Sequence, residues 1–133
     1  MKRLLLDSGI VSDLVNRRRD VPARISNRIA SGIRVGTCIP VLAEIVAGIE
    51  CSQSRDRNMQ AFITVLPALT VWPFDNAAAF RYGQLFAELR KKGRPMQVVD
   101  IMISAIALNL GNCVVVSTDS DLKSVPGLDV ELW

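Results

Sequence analysis

Histidine is absent from all 133 residues, and that single gap removes imidazole acid–base chemistry, Ser-His-Asp triads and His–metal sites together. Aromatic residues are only 5% of the chain, too few for a surface that stacks successive bases, so any nucleic acid would be recognised by backbone charge and shape. Cysteine is scarce and odd in number: Cys38, Cys51 and Cys113 show no paired-ligand spacing and read as reduced, mostly buried thiols in a cytoplasm. No apolar run reaches the roughly 18 residues of a membrane-spanning helix. The opening Met1-Lys2-Arg3-Leu4-Leu5-Leu6 is cut short by Asp7, before a signal-peptide core could form, and reads as a buried strand. Repeats, low-complexity tracts and linkers are also missing, so one domain over 1–133 is expected.

Half of the chain is hydrophobic and mean hydropathy is positive, which excludes a disordered polymer. The net charge of +3 is modest and decides nothing about partners. Its make-up says more: 12 of the 16 basic residues are Arg, the side chain that grips phosphate with a two-pronged fork. They cluster at Arg17-Arg18-Arg19 with Arg24 and Arg28, and at Arg90-Lys91-Lys92 with Arg94. Taken alone, either cluster reads first as a solvated helix end.

Three acids stand alone in the greasiest stretches. Asp7 closes Leu4-Leu5-Leu6, Glu44 interrupts Ile39–Ala47, and Asp100 splits Val98-Val99 from Ile101-Met102-Ile103. None has a Lys or Arg within the next four residues, so local pairing does not account for them. A carboxylate removed from water without a partner costs several kcal/mol or more, and it pairs, protonates or binds a metal instead.

Strands are expected at 3–7, 33–39, 69–74 and 113–116, with an edge strand at 129–132. Helices are expected at 10–15 (N-cap Ser8), 22–31, 40–52, 55–66, 76–92 (N-cap Asp75) and 98–110, with residues 117–124 a loop or short helix. The 76–92 segment spaces Phe80, Tyr82, Leu85, Phe86 and Leu89 as a core stripe, and 98–110 is apolar all round, as a buried helix is. Trp133 reads as a packing residue. The alternation implies a three-layer α/β/α sandwich around a parallel sheet of four to five strands.

In such sheets ligands bind outside the carboxyl ends of the strands. Asp7 ends the first strand, Glu44 lies about a turn into the helix after the second, Asp100 opens the helix feeding the fourth, and Asp119 follows that strand with Asp121 close behind. If the first, second and fourth strands are neighbours, all converge on one rim. Oxygen donors without His or Cys favour Mg2+, or Mn2+, over Zn2+, and such a site activates water against a phosphodiester. Singly, Asp7 reads equally well as a helix cap, Glu44 as the partner of a distant Arg, and Asp119-Ser120-Asp121 as a solvated loop. A phosphorylatable receiver domain and a dehalogenase-like phosphatase both fit poorly: the first strand offers one Asp, and position 9 is Gly.

With these residues in place the chain resembles the PIN-domain family, specifically its VapC-like toxins. The carriers are Leu5–Ile10, Pro40–Gly48, Gly93-Arg94-Pro95, Asp100–Ala105, Val116–Leu122 and Val125–Leu128. The resemblance implies a Mg2+-dependent endoribonuclease that cuts structured RNA such as tRNA or rRNA, is neutralised by a cognate antitoxin and forms homodimers. It assigns Asp7 and Asp100 as the firmest metal ligands, Asp119, alone or with Asp121, to the rest of the shell, and Glu44 to the attacking water. One departure stands out. The family's first motif reads Asp-Thr-Asn or Asp-Ser-Asn, whereas this chain has Asp7-Ser8-Gly9, which leaves open a catalytically weakened module acting by protein or RNA binding.

Overall fold

The computed structural model describes residues 2–133. Its sheet has five parallel strands in the order β3-β2-β1-β4-β5, formed by β1 (Arg3–Leu6), β2 (Arg34–Cys38), β3 (Thr70–Trp72), β4 (Cys113–Ser117) and β5 (Asp129–Leu132). Six helices connect them: α1 (Ser8–Val15), α2 (Val21–Ala30), α3 (Ile39–Glu50), α4 (Arg55–Val65), α5 (Asn76–Lys91) and α6 (Val98–Leu110). Successive strand residues point to opposite faces, yet Leu4, Leu5 and Leu6 are all fully buried. Both faces of β1 are therefore covered, which makes this the expected three-layer α/β/α sandwich.

Two local details set the geometry. Gly36 in β2 lies so close to β3 that a Cβ there would stand 2.2 Å from the Thr70 carbonyl oxygen, so only glycine lets the two strands pair. Helix α6 buries Ile101, Ile103, Ser104, Ala105, Ile106 and Ala107, as a helix without a polar face should.

The expected elements are present, with shifted ends and two corrections. Helix α1 is capped not by Ser8 but by Asp7, whose side chain accepts the Ile10 N–H. The α5 stripe is narrower than expected: Ala78, Leu85 and Leu89 are buried while Phe80 is 78% exposed. Phe80 lies two residues beyond Ala78, about 200° around the helix, and so on its far side. β3 is three residues, Thr70–Trp72, shorter than the expected 69–74, because only these pair with β2.

Candidate active site

β1 lies between β2 and β4, so the carboxyl ends of these three neighbouring strands form one rim. Asp7 leaves β1 there with its N–H donating to the Val116 carbonyl of β4 at 3.1 Å. Its carboxylate is held from two sides: Oδ1 accepts the Ile10 N–H at 3.0 Å, and Oδ2 accepts the hydroxyl of Ser117, the last residue of β4. That hydroxyl in turn accepts the Asp119 N–H at 2.9 Å, and Asp119 Oδ1 accepts the Asp121 N–H at 2.9 Å. One buried serine thus joins the first acid to the loop carrying the fourth and fifth. Thr37, buried in β2, ties that strand to the same corner by donating to the Leu6 carbonyl at 2.8 Å.

Asp100 occupies the first turn of α6, where the helix dipole favours a negative charge. Burial outweighs that. Its carboxyl is pushed up to about 6, first by desolvation and then by the charges of Asp119, Asp7, Glu44 and Asp121. Asp7 is raised as well, chiefly by burial, against the opposing hydrogen bonds from Ser117 and Ile10. Asp119 and Glu44 add to its rise. Each of the other four acids predicted from sequence is therefore close enough to burden Asp100 electrostatically. The structure brings Asp7, Glu44, Asp100, Asp119 and Asp121 together.

Their environments differ from the expectation of three buried acids. Asp7 is buried and Asp100 half-buried, but Glu44, Asp119 and Asp121 are exposed. The apolar sequence around Glu44 reflects how α3 packs on its neighbours, while Glu44 itself looks into a cleft of about 600 Å³ between α1, α3 and α4. Gly9, Ser12, Arg18, Asn58 and Phe62 also line that cleft. At Gly9 a Cβ would meet only Asp7 Oδ1 at 3.7 Å and Thr118 Oγ1 at 3.9 Å, so the space beside the first acid stays open.

The donors suit a hard divalent cation. They are oxygens only, and no Lys or Arg forms an ion pair with any of the five among the described residues. Among the described residues no three of them stand close enough to hold an ion between them; Mg2+ keeps several waters and needs only one or two carboxylates. Two of the thiols are buried, and burial drives Cys38 up to about 12 and Cys113 up to about 11. Ser117 is the functional position that sequence reasoning passed over. Its only signal was a small polar residue at the end of an apolar strand, two residues before Asp119.

Residues 4–128 match the family model for the PIN domain. Over its whole length the chain is 31% identical to the tRNA(fMet)-specific endonuclease VapC of Shigella flexneri, of which it covers 99%. It is 34% identical over 92 residues to the protein of the same name from Salmonella typhimurium, covering 69% of this chain and 70% of that one. Among solved structures, VapBC2 from Rickettsia felis bound to a promoter DNA fragment superposes with a TM-score of 0.90 at 25% identity, covering 98% of each chain. DNA-bound VapBC from Salmonella typhimurium gives 0.89 at 27%, covering 100% of this chain and 99% of that one. The chain belongs to the PIN domain family, among its VapC-like members.

Proposed function

We propose that this protein is the toxin of a toxin–antitoxin pair, an endoribonuclease that cleaves RNA phosphodiester bonds with metal-activated water. The observation that carries this reading is five acids without cationic partners at one rim of a PIN domain. Its resemblance over the whole chain to a VapC endonuclease supports it. Asp7 and Asp100 would hold Mg2+, or Mn2+ in its place, and Asp119 and Asp121 would contribute to its shell directly or through water. Once bound, the ion lowers the pKa of water toward neutrality and shields the phosphodiester charge. Glu44, exposed at the cleft, orients the attacking water and accepts its proton. The Ser117 hydroxyl keeps Asp7 turned toward the rim.

The substrate is structured RNA, tRNA or rRNA, and the place of action the cytoplasm. No helix among the described residues is long and apolar enough to cross a membrane. The partner is a cognate antitoxin. Its tail lies in the cleft between α1, α3 and α4, sending an Arg toward Glu44 and the other acids. A homodimer is the working state, and the exposed Phe80 and Phe86 on α5 offer an apolar surface for it.

Purified, antitoxin-free protein is to be incubated with total RNA in Mg2+ or in EDTA. Cleavage should appear only with Mg2+ and vanish in Asp7→Asn and Asp100→Asn proteins that remain folded. The second reading, a weakened module acting by binding, draws on Gly9. It wins if the folded wild type cuts none of many RNAs, or if both variants cut as well as the wild type.

A further inference from the structure

The acid rim repels the polyanion it has to receive. Every charge bearing on Asp7 and Asp100 is itself a carboxylate, so cations that hold RNA must stand outside the cluster. One is built into its flank. The Trp133 N–H donates to the Ser117 carbonyl at 3.0 Å, and Ser117 is the residue whose hydroxyl holds Asp7. The indole Nε1–H donates to Glu131 at 3.0 Å, and Glu131 is gripped by both prongs of Arg28 at 3.0 and 2.8 Å. The ring is thus fixed beside the acid-bearing end of β4, and the one carboxylate touching it is already neutralised.

Arg24, one helical turn before Arg28, lies over the same ring at 4.7 Å. It is exposed and has no acidic partner among the described residues. An ion pair would cancel its charge. Stacking on an indole orders the guanidinium yet leaves that charge, and the N–H groups along its edge, available to an anion. A flexible arginine has to be ordered when it binds; this one is ordered beforehand.

We propose that Arg24, laid on Trp133, is an RNA phosphate contact flanking the acid rim. The proposal rests on the ribonuclease reading for the identity of the polyanion, and its test is separable from cleavage. Bulk tRNA is titrated with wild type, Arg24→Ala and Arg81→Ala in EDTA over a range of salt. Arg81 bonds Asn109 near the C-terminal end of α6, opposite the end that carries Asp100, so its loss removes the same charge far from the rim.

Arg24→Ala should bind roughly threefold to tenfold more weakly, and its slope of log affinity against log salt should fall by about 0.7, the loss of one single-strand phosphate contact. Arg81→Ala should stay within about twofold of wild type, because a charge beyond the screening length contributes little. In Mg2+ the Arg24 variant should raise KM far more than it lowers kcat, as loss of uniform binding does. Equal affinity and salt slope in Arg24→Ala and wild type would reduce the stack to a clamp between α2 and β5. So would failure of the wild type to bind tRNA, or a loss confined to antitoxin binding. Weakened binding by Arg24→Ala alongside a wild type that never cleaves would sink the ribonuclease reading and leave the contact standing.

Discussion

Replacing Asp100 by Asn should make the metal-free protein more stable while abolishing its activity. In the folded protein this carboxyl is pushed from 3.8 to about 6, by burial first and by four neighbouring acids second. A folded pKa above the unfolded one means that ionisation costs folding energy. The cost is absent below about pH 4, grows as pH rises through about 6, and is complete at neutrality. Unscreened, the shift corresponds to about 3 kcal/mol. Asp100 is half exposed, so solvent screening brings the figure to about 1–2 kcal/mol.

Asn keeps the shape and drops the charge, forfeiting only a few tenths of a kcal/mol of helix-dipole stabilisation. For a chain of this length the net gain is about 3–7 °C in Tm near pH 7.5 in EDTA. Thermal melts of both proteins from about pH 4 to pH 8 should give curves that coincide at the acid end and separate through about 6. Adding Mg2+ should raise the wild-type Tm and leave the variant nearly unmoved, since a ligand stabilises only the state that binds it. A variant less stable than wild type at neutral pH, or a difference independent of pH, would refute the claim that burial and the neighbouring acids make the Asp100 charge costly.

Asp7→Asn should fold as well as wild type because Asn caps a helix as readily as Asp, whereas Asp7→Ala should lose about 1 kcal/mol in denaturant unfolding; neither should cleave RNA. Ser117→Ala removes the donor to Asp7 and the acceptor of the Asp119 N–H. It should cost about 1–3 kcal/mol and weaken Mn2+ binding measured by calorimetry, with Ser117→Thr recovering the affinity. Gly36→Ala sets a methyl against the Thr70 carbonyl oxygen and should cost at least about 1–3 kcal/mol in denaturant melts. Gly48→Ala in α3, with open space around it, should instead gain about 0.5–1 kcal/mol by the same measurement.

Much of this architecture was legible because local and global signals agree. Leu4-Leu5-Leu6 ending in Asp7 spells a strand buried on both faces and stopped at a rim. Gly111, with φ of 69°, spells the end of α6. Asp7, Glu44 and Asp100 stood out because no Lys or Arg follows within four residues, and Asp119 and Asp121 because they come directly after β4. Burial was less legible. Glu44 looked engulfed because its sequence neighbours are apolar, but a helix turns each residue by about 100°, and only packing reveals which direction meets solvent. Phe80 failed for the same reason. Asp7 was read as either a cap or a site acid, with Ser8 taken as the cap, because the sequence does not show one side chain doing both jobs. The pairing of Arg28 with Glu131 spans 103 positions and leaves no local trace.

The strand on the far side of β1 from β2 is made late. β4 is inserted beside β1 only after more than a hundred residues have been made, and Ser117 and Asp119 come with it. A nascent chain therefore carries its first acid for more than a hundred residues before β4 can bring the rest of the rim to it. On the ribonuclease reading proposed above, this order of assembly is a built-in delay before any RNA could be cut.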